Sequence, residues 1–189
     1  MKKISNAFYC LSSGWLVLVS GIGLLVFVIF VLPTFNIKTA EFAGEMGVPD
    51  LRILYSPSTL QSMAEAYGES GRDSYLNLHW TLDLVFPLLY TLSLITATSW
   101  LLERLTLRSS KSWLLNLIPL IGFLGDIGEN AFSSIVMARF PYPSNVAQAL
   151  SAIFTPIKWL GFIASILLLG TLGLIFLKTR INNPNRKSR

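Results

Sequence analysis

The chain has 189 residues, of which 52% are hydrophobic and only 13% charged, and its mean hydropathy is +0.58. Soluble domains carry about 25% charged residues, so a soluble globular enzyme, a disordered chain and a disulfide-stapled secreted module are all excluded; the single cysteine, Cys10, forms no internal disulfide. The net charge of +5 is compatible with nucleic acid or with anionic lipid, and the placement of the charges decides between them.

A bilayer core about 30 Å thick takes about 20 apolar residues of helix, and four stretches meet that need: 11–32, 80–102, 113–137 and 154–177. The expected fold is all-α, a four-transmembrane-helix bundle forming one domain over 1–181, followed by a basic tail at 182–189. Lys2 and Lys3 precede the first stretch, but its apolar run is too long for a signal peptide. No small-residue cleavage site follows before Pro33, so it reads as a retained span. Cys10 lies ahead of that run, as a plain interfacial thiol or a palmitoylation site.

The segment 33–79 is the only sizeable stretch outside the spans. Ser58 and Gln61 have capping-box spacing, and Leu60, Met63, Ala64 and Tyr67 recur at helical period. They predict a short amphipathic helix over 58–67, followed by a turn at Ser70–Asp73. Pro87 and Pro119 predict kinks in the second and third spans. Trp15, Trp80, Trp100, Trp113 and Trp159 all fall near span ends, as an interfacial belt requires.

Orientation follows from Lys and Arg. Lys2, Lys3, Arg104, Arg108, Lys111, Lys178, Arg180, Arg186, Lys187 and Arg189 fall on one side, against Lys38, Arg52, Arg72, Arg139 and Lys158 on the other, where six acids from Glu41 to Asp73 offset them. Both termini are therefore expected in the cytoplasm, with the protein in the plasma (inner) membrane. The basic tail then meets anionic lipid headgroups rather than nucleic acid.

Ionisable groups inside a bilayer cost about 2.5–3.5 kcal/mol each on insertion scales and mark candidate sites. Asp83, Asp126, Glu129 and Lys158 are such groups, with His79 at the outer boundary. At a rise of 1.5 Å per residue, Asp83 lies about 5 Å, Asp126 about 10 Å, and Glu129 and Lys158 about 6 Å below the outer surface. His79, Asp83, Phe86, Pro87 and Tyr90 share one helical stripe; Asp126, Glu129, Asn130 and Ser133 share another. Gly122, Gly125 and Gly128 beside the second stripe suit close helix approach or a local irregularity. Three carboxylates face one certain cation, and they cannot all be charged side by side in a low dielectric. Such a surplus suits acid–base work, a proton-coupled carrier or a cationic ligand; a purely structural network is the alternative, and Arg139 is a second cation that would weaken the surplus. One histidine with three carboxylates lacks a metal-ligand motif, so neither metal nor cofactor is expected.

These residues also carry a resemblance. Tyr55-Ser56-Pro57, Ala66-Tyr67-Gly68, Gly71-Arg72, Asp83-x-x-Phe86-Pro87-x-x-Tyr90, Asp126-x-x-Glu129-Asn130, Phe140-Pro141 and Thr155-x-x-Lys158-Trp159 resemble the skeleton of a group of small, mostly bacterial four-span membrane proteins. That resemblance implies architecture and carries no activity. The four spans and buried acids are also similar to the sterol-isomerase (emopamil-binding) and sigma-type receptor superfamily, which implies a hydrophobic pocket for amphiphilic amines or sterols. In that likeness Asp83 stands at the acidic position of the second span, and Asp126 or Glu129 stands in for the other.

The expected function is binding, with conversion as an open extension, of a lipid-like amphiphile at an outer-leaflet acidic pocket. Asp83, Asp126 and Glu129 are the proton-handling or cation-pairing groups, and Lys158 is the counter-charge. His79, Tyr90 and Asn130 orient the ligand and Phe86 lines the site. The other expectation is a non-enzymatic interaction protein whose buried charges only specify packing. A homo-oligomer is compatible with either.

Overall fold

A computed structural model describes residues 2–10, 12–105 and 112–182. Arg108, Lys111 and the tail beyond Asn182, which contribute to the charge count above, lie outside the described residues. Those residues form helices α1 Lys2–Cys10, α2 Gly14–Val26, α3 Leu32–Ala43, α4 Pro57–Ala66, α5 Gly68–Leu78, α6 Leu84–Arg104, α7 Ile118–Arg139 and α8 Asn145–Asn182, with no strand among them. Three continuous helical stretches are long and apolar enough to cross a membrane: Gly14–Met46, Gly68–Arg104 and Asn145–Asn182. α7 falls short because Asp126, Glu129, Asn130, Ser133 and Ser134 interrupt its apolar sequence.

The helices run further than the apolar pattern indicates. Ser13 caps α2 by accepting the Leu16 N–H at 3.2 Å. The first helix was expected to stop at Pro33, yet it continues through a π turn, Phe27–Val31, into α3. Pro33 has no N–H to give the carbonyl four residues back, and the wider turn just ahead of it absorbs that break. A second π turn, His79–Asp83, joins α5 to α6 in the same way, ahead of Pro87. Pro119 does not kink α7; it sits in the first turn, where a missing N–H costs nothing.

The 33–79 segment is more helical than expected, and its details differ. α4 is capped two residues earlier than the Ser58–Gln61 spacing suggests. Ser56, held extended by the proline after it, is the cap and accepts the Thr59 N–H at 3.3 Å. Gln61 turns away, donating to the Pro141 carbonyl at 3.4 Å and accepting from Gln148 at 2.8 Å. Ser70–Asp73 is not a turn but part of α5. Gly68, at φ +65°, makes the corner between α4 and α5, and Arg72 donates back to the Ala64 carbonyl at 2.9 Å while lying over the Phe140 ring.

Between α3 and α4 the chain forms a strap, residues 44–56, across one end of the bundle. Gly44 and Gly47, with φ of 50° and 60°, turn it. Tyr67 donates to the Gly47 carbonyl at 2.5 Å, Arg52 to the Met46 carbonyl at 2.9 Å, and the Trp159 indole to the Arg52 carbonyl at 2.9 Å. Trp159 thus faces the strap rather than an outer belt, whereas Trp15 is 70% exposed.

α7 and α8 make the closest helix pair. A cluster of Leu60, Met63, Tyr67, Tyr75, Val136 and Met137 fills the strap end of the bundle, and Tyr9, Leu101, Leu102 and Leu172 fill the other. At that other end the short helix α1, which the apolar pattern does not reveal, is pinned by Ser5 donating to Asn116 at 2.8 Å.

Candidate functional site

The site lies where the strap meets α6, α7 and α8. His79 stacks on Tyr75 with ring centroids 3.7 Å apart and is fully buried. Its Nδ1 is 3.0 Å from the Tyr75 carbonyl and its Nε2 is 2.5 Å from Asp50 Oδ2. Asp83, one turn along, has Oδ2 3.9 Å from the same Nε2 and accepts a 3.1 Å hydrogen bond from the Asn130 amide. On α8, Lys158 presents its ammonium to Asp126 at 3.1 Å, to Asp50 Oδ1 at 3.3 Å and to Glu129. Thr155 donates to Glu129 at 2.7 Å and Tyr55 at 3.3 Å.

Asp83, Asp126, Glu129, Asn130, His79 and Lys158 therefore come together as their stripes require. Arg139 does not; it is exposed at the C-terminal end of α7. The cluster's acids are more numerous than the sequence suggests, because Asp50 joins them from the strap. Four carboxylates face Lys158 and His79.

A pocket of about 250 Å³ opens beside this cluster. Asp50, Asp83, Asp126 and Lys158 supply its polar wall, and Phe35, Phe86, Tyr90, Trp159 and Phe162 its aromatic wall. The rings contact one another in series: Phe86 and Tyr90 at 5.4 Å, Tyr90 and Phe162 at 5.0 Å, Trp159 and Phe162 at 6.3 Å between centroids. Glu129, His79 and Asn130 do not line the pocket; they stand behind the residues that do. The Tyr90 hydroxyl is buried next to the Thr91 hydroxyl, a side-chain hydrogen-bonding neighbour.

Asp50, Tyr55 and Trp159 were not among the residues singled out by spacing. Asp50 follows Val48-Pro49 in a segment with no periodicity, so only the fold brings it to His79. Ser151 and Thr155 did carry a signal, since they lie on the Lys158 face of α8 at helical spacing.

Asp50 is the electrostatic fastener of the strap. Burial alone would push its carboxyl up, but His79 and then Lys158 outweigh that and hold it well below the ordinary carboxylate range. A depressed value means the fastening is complete above the unfolded carboxylate pKa, about 3.9, and is lost as pH falls through the folded value. The strap should thus stay closed at every pH above about 4 as far as Asp50 is concerned. Asp50→Asn should open it at neutral pH, with hydrogen exchange or protease cleavage at 44–56 faster by roughly 10- to 100-fold, the range of charge-assisted hydrogen bonds. An unchanged rate would show that Asp50 does not hold the strap. Tyr55 is pushed up, first by burial and then by the Glu129 charge, so it stays a hydroxyl donor beside Glu129.

No family model matches the chain, and neither a curated protein nor a solved structure matches it.

Proposed function

We propose that this is a four-span plasma-membrane protein that takes a lipid-like amphiphile from the outer leaflet into the pocket between the strap, α6, α7 and α8. The spans are α2–α3, α5–α6, α7 and α8, with both termini cytoplasmic and the basic tail on anionic headgroups. The resemblance to small bacterial four-span proteins agrees with this count. α7 serves as a span despite its polar stripe. Its 22 residues cover about 33 Å at 1.5 Å per residue. Ile121, Leu124 and Ile135 also give it an apolar outer face, while the acids turn inward.

The observation that carries the reading is the union, in one pocket, of a carboxylate surplus and a wall of aromatic rings. The polar wall receives the head of an amphiphile and the rings receive its apolar body. Asp83 and Asp126 touch the ligand; Lys158 is the counter-charge, and Glu129, His79 and Asn130 hold these groups in place. Where the ligand carries a double bond, one carboxyl can donate a proton to it while the other carboxylate removes one elsewhere, so that the bond migrates and the proton count is conserved.

Tyr90→Phe separates this from a purely structural network. Removing this hydroxyl should change the stability of the ligand-free protein by no more than about 1 kcal/mol. The same change should weaken retention of co-purified amphiphile seen by native mass spectrometry in mild detergent. Wild-type protein that retains no amphiphile, or a variant that retains it equally, would overturn the reading. The structural alternative draws its support from Lys158, which already engages three carboxylates.

A further inference from the structure

The geometry points to a first-row divalent metal site, of the zinc type, formed by Asp50, His79 and Asp83 on the pocket wall with its open positions facing the pocket. One nitrogen and two carboxylate oxygens from these residues lie within 4.8 Å of one another. Imidazole with carboxylates suits zinc and its first-row neighbours better than magnesium or calcium. At metal–ligand distances near 2.1 Å, neighbouring ligand atoms are about 3.0–3.4 Å apart. The two observed separations from His79 Nε2, 2.5 Å to Asp50 and 3.9 Å to Asp83, bracket that spacing.

The surroundings of these ligands favour a metal. His79 Nδ1 faces a backbone carbonyl, the Tyr75 oxygen at 3.0 Å, so Nδ1 carries the hydrogen and Nε2 is the nitrogen directed at the carboxylates. A metal-bound histidine is oriented by the same kind of outer contact. Asp83 is held by the Asn130 amide, and Asp50 is held through its other oxygen by Lys158. The second acidic group, Asp50 with Asp126 and Glu129, is already served by the Lys158 ammonium, which leaves the histidine-bearing trio for the ion. Were all four carboxylates ionised, one lysine would leave three negative charges; a proton on Nε2 would lower that to two, and a divalent ion in its place to one.

The inference stands on the trio and does not need the amphiphile.

The test uses the full chain in detergent, stripped with a chelator. Zn2+ uptake is read by elemental analysis, and Co2+ uptake by its visible absorption, with Mg2+ as control. Saturable uptake of one ion per chain is expected, with a rise in melting temperature on adding Zn2+. Asp83→Asn and His79→Gln should lower affinity at least 10-fold. Asn130→Ala, which keeps all three ligands, should lower it about 10- to 100-fold, as outer-shell changes do. Gly170→Ala, with nothing within 4 Å of its added methyl, should leave it unchanged. Uptake no stronger than that of Mg2+, or equal in wild type, Asp83→Asn and Asn130→Ala, would overturn the site. Amphiphile retention is scored separately on stripped protein. Retention without metal uptake removes only the metal, and uptake without retention removes only the amphiphile reading.

Discussion

Lys158→Met should destabilise the protein by about 3–5 kcal/mol, the cost of removing one partner from a buried ion pair. Lys158 is 8% exposed and serves Asp50, Asp126 and Glu129 at once. Without it those carboxylates must share His79 or take up protons. Total stabilities of about 5–15 kcal/mol make this a large fraction, and chemical unfolding in detergent would register it. The opposite change should be mild. Asp126→Asn removes one of four acids and leaves Lys158 with two partners, so the loss should be small, and combining it with Lys158→Met should recover part of the larger loss. Equal losses for Lys158→Met and Asp126→Asn would mean a balanced pair rather than a surplus of acids.

Gly161→Ala should be the most disruptive single methyl in the bundle. A Cβ there would overlap the Gly122 backbone nitrogen and sit 2.7 Å from its Cα. Backbone atoms cannot rotate away as a side chain can, so α7 and α8 must part. A Cβ on Gly125 would likewise lie 2.5 Å from the Lys158 backbone nitrogen. Overpacking of this kind costs about 1–3 kcal/mol or more, and here it also draws Lys158 away from Asp126. Gly170→Ala is the control, with nothing within 4 Å of its added methyl; it should be neutral or gain up to about 1 kcal/mol from helix propensity. Thermal melts of the three variants against wild type give the comparison, and an undisturbed Gly161→Ala would refute the close packing.

The membrane character and the charged stripes were legible because they depend on composition and helical period alone. Asp83, Asp126, Glu129, Asn130 and Lys158 recur at spacings that put each set on one face, and a bilayer leaves such a face nowhere to go but inward. What failed was the reading of proline and glycine. Pro33 and the Ser70–Asp73 sequence look like breaks, but a π turn absorbs the proline. At Gly71 the Cβ-free surface lets Phe42 approach the helix, since a Cβ there would be 3.2 Å from that of Phe42. Asp50 was illegible for another reason. Its role comes from a strap folding back over the bundle, and nothing local to 47–51 encodes the partner. α7 is the mixed case. Its acids make the site visible in sequence and also lower its hydropathy below that of the other long helices.

The most direct measurement is an experimental structure of the full chain in lipid nanodiscs prepared without added ligand. The account predicts elongated density in the pocket, its polar end within hydrogen-bond reach of Asp83, Asp126 or the Tyr90 hydroxyl and its apolar end along Phe86 and Phe162. A structure in which the strap and helices close on one another, leaving no space beside those carboxylates, would contradict it.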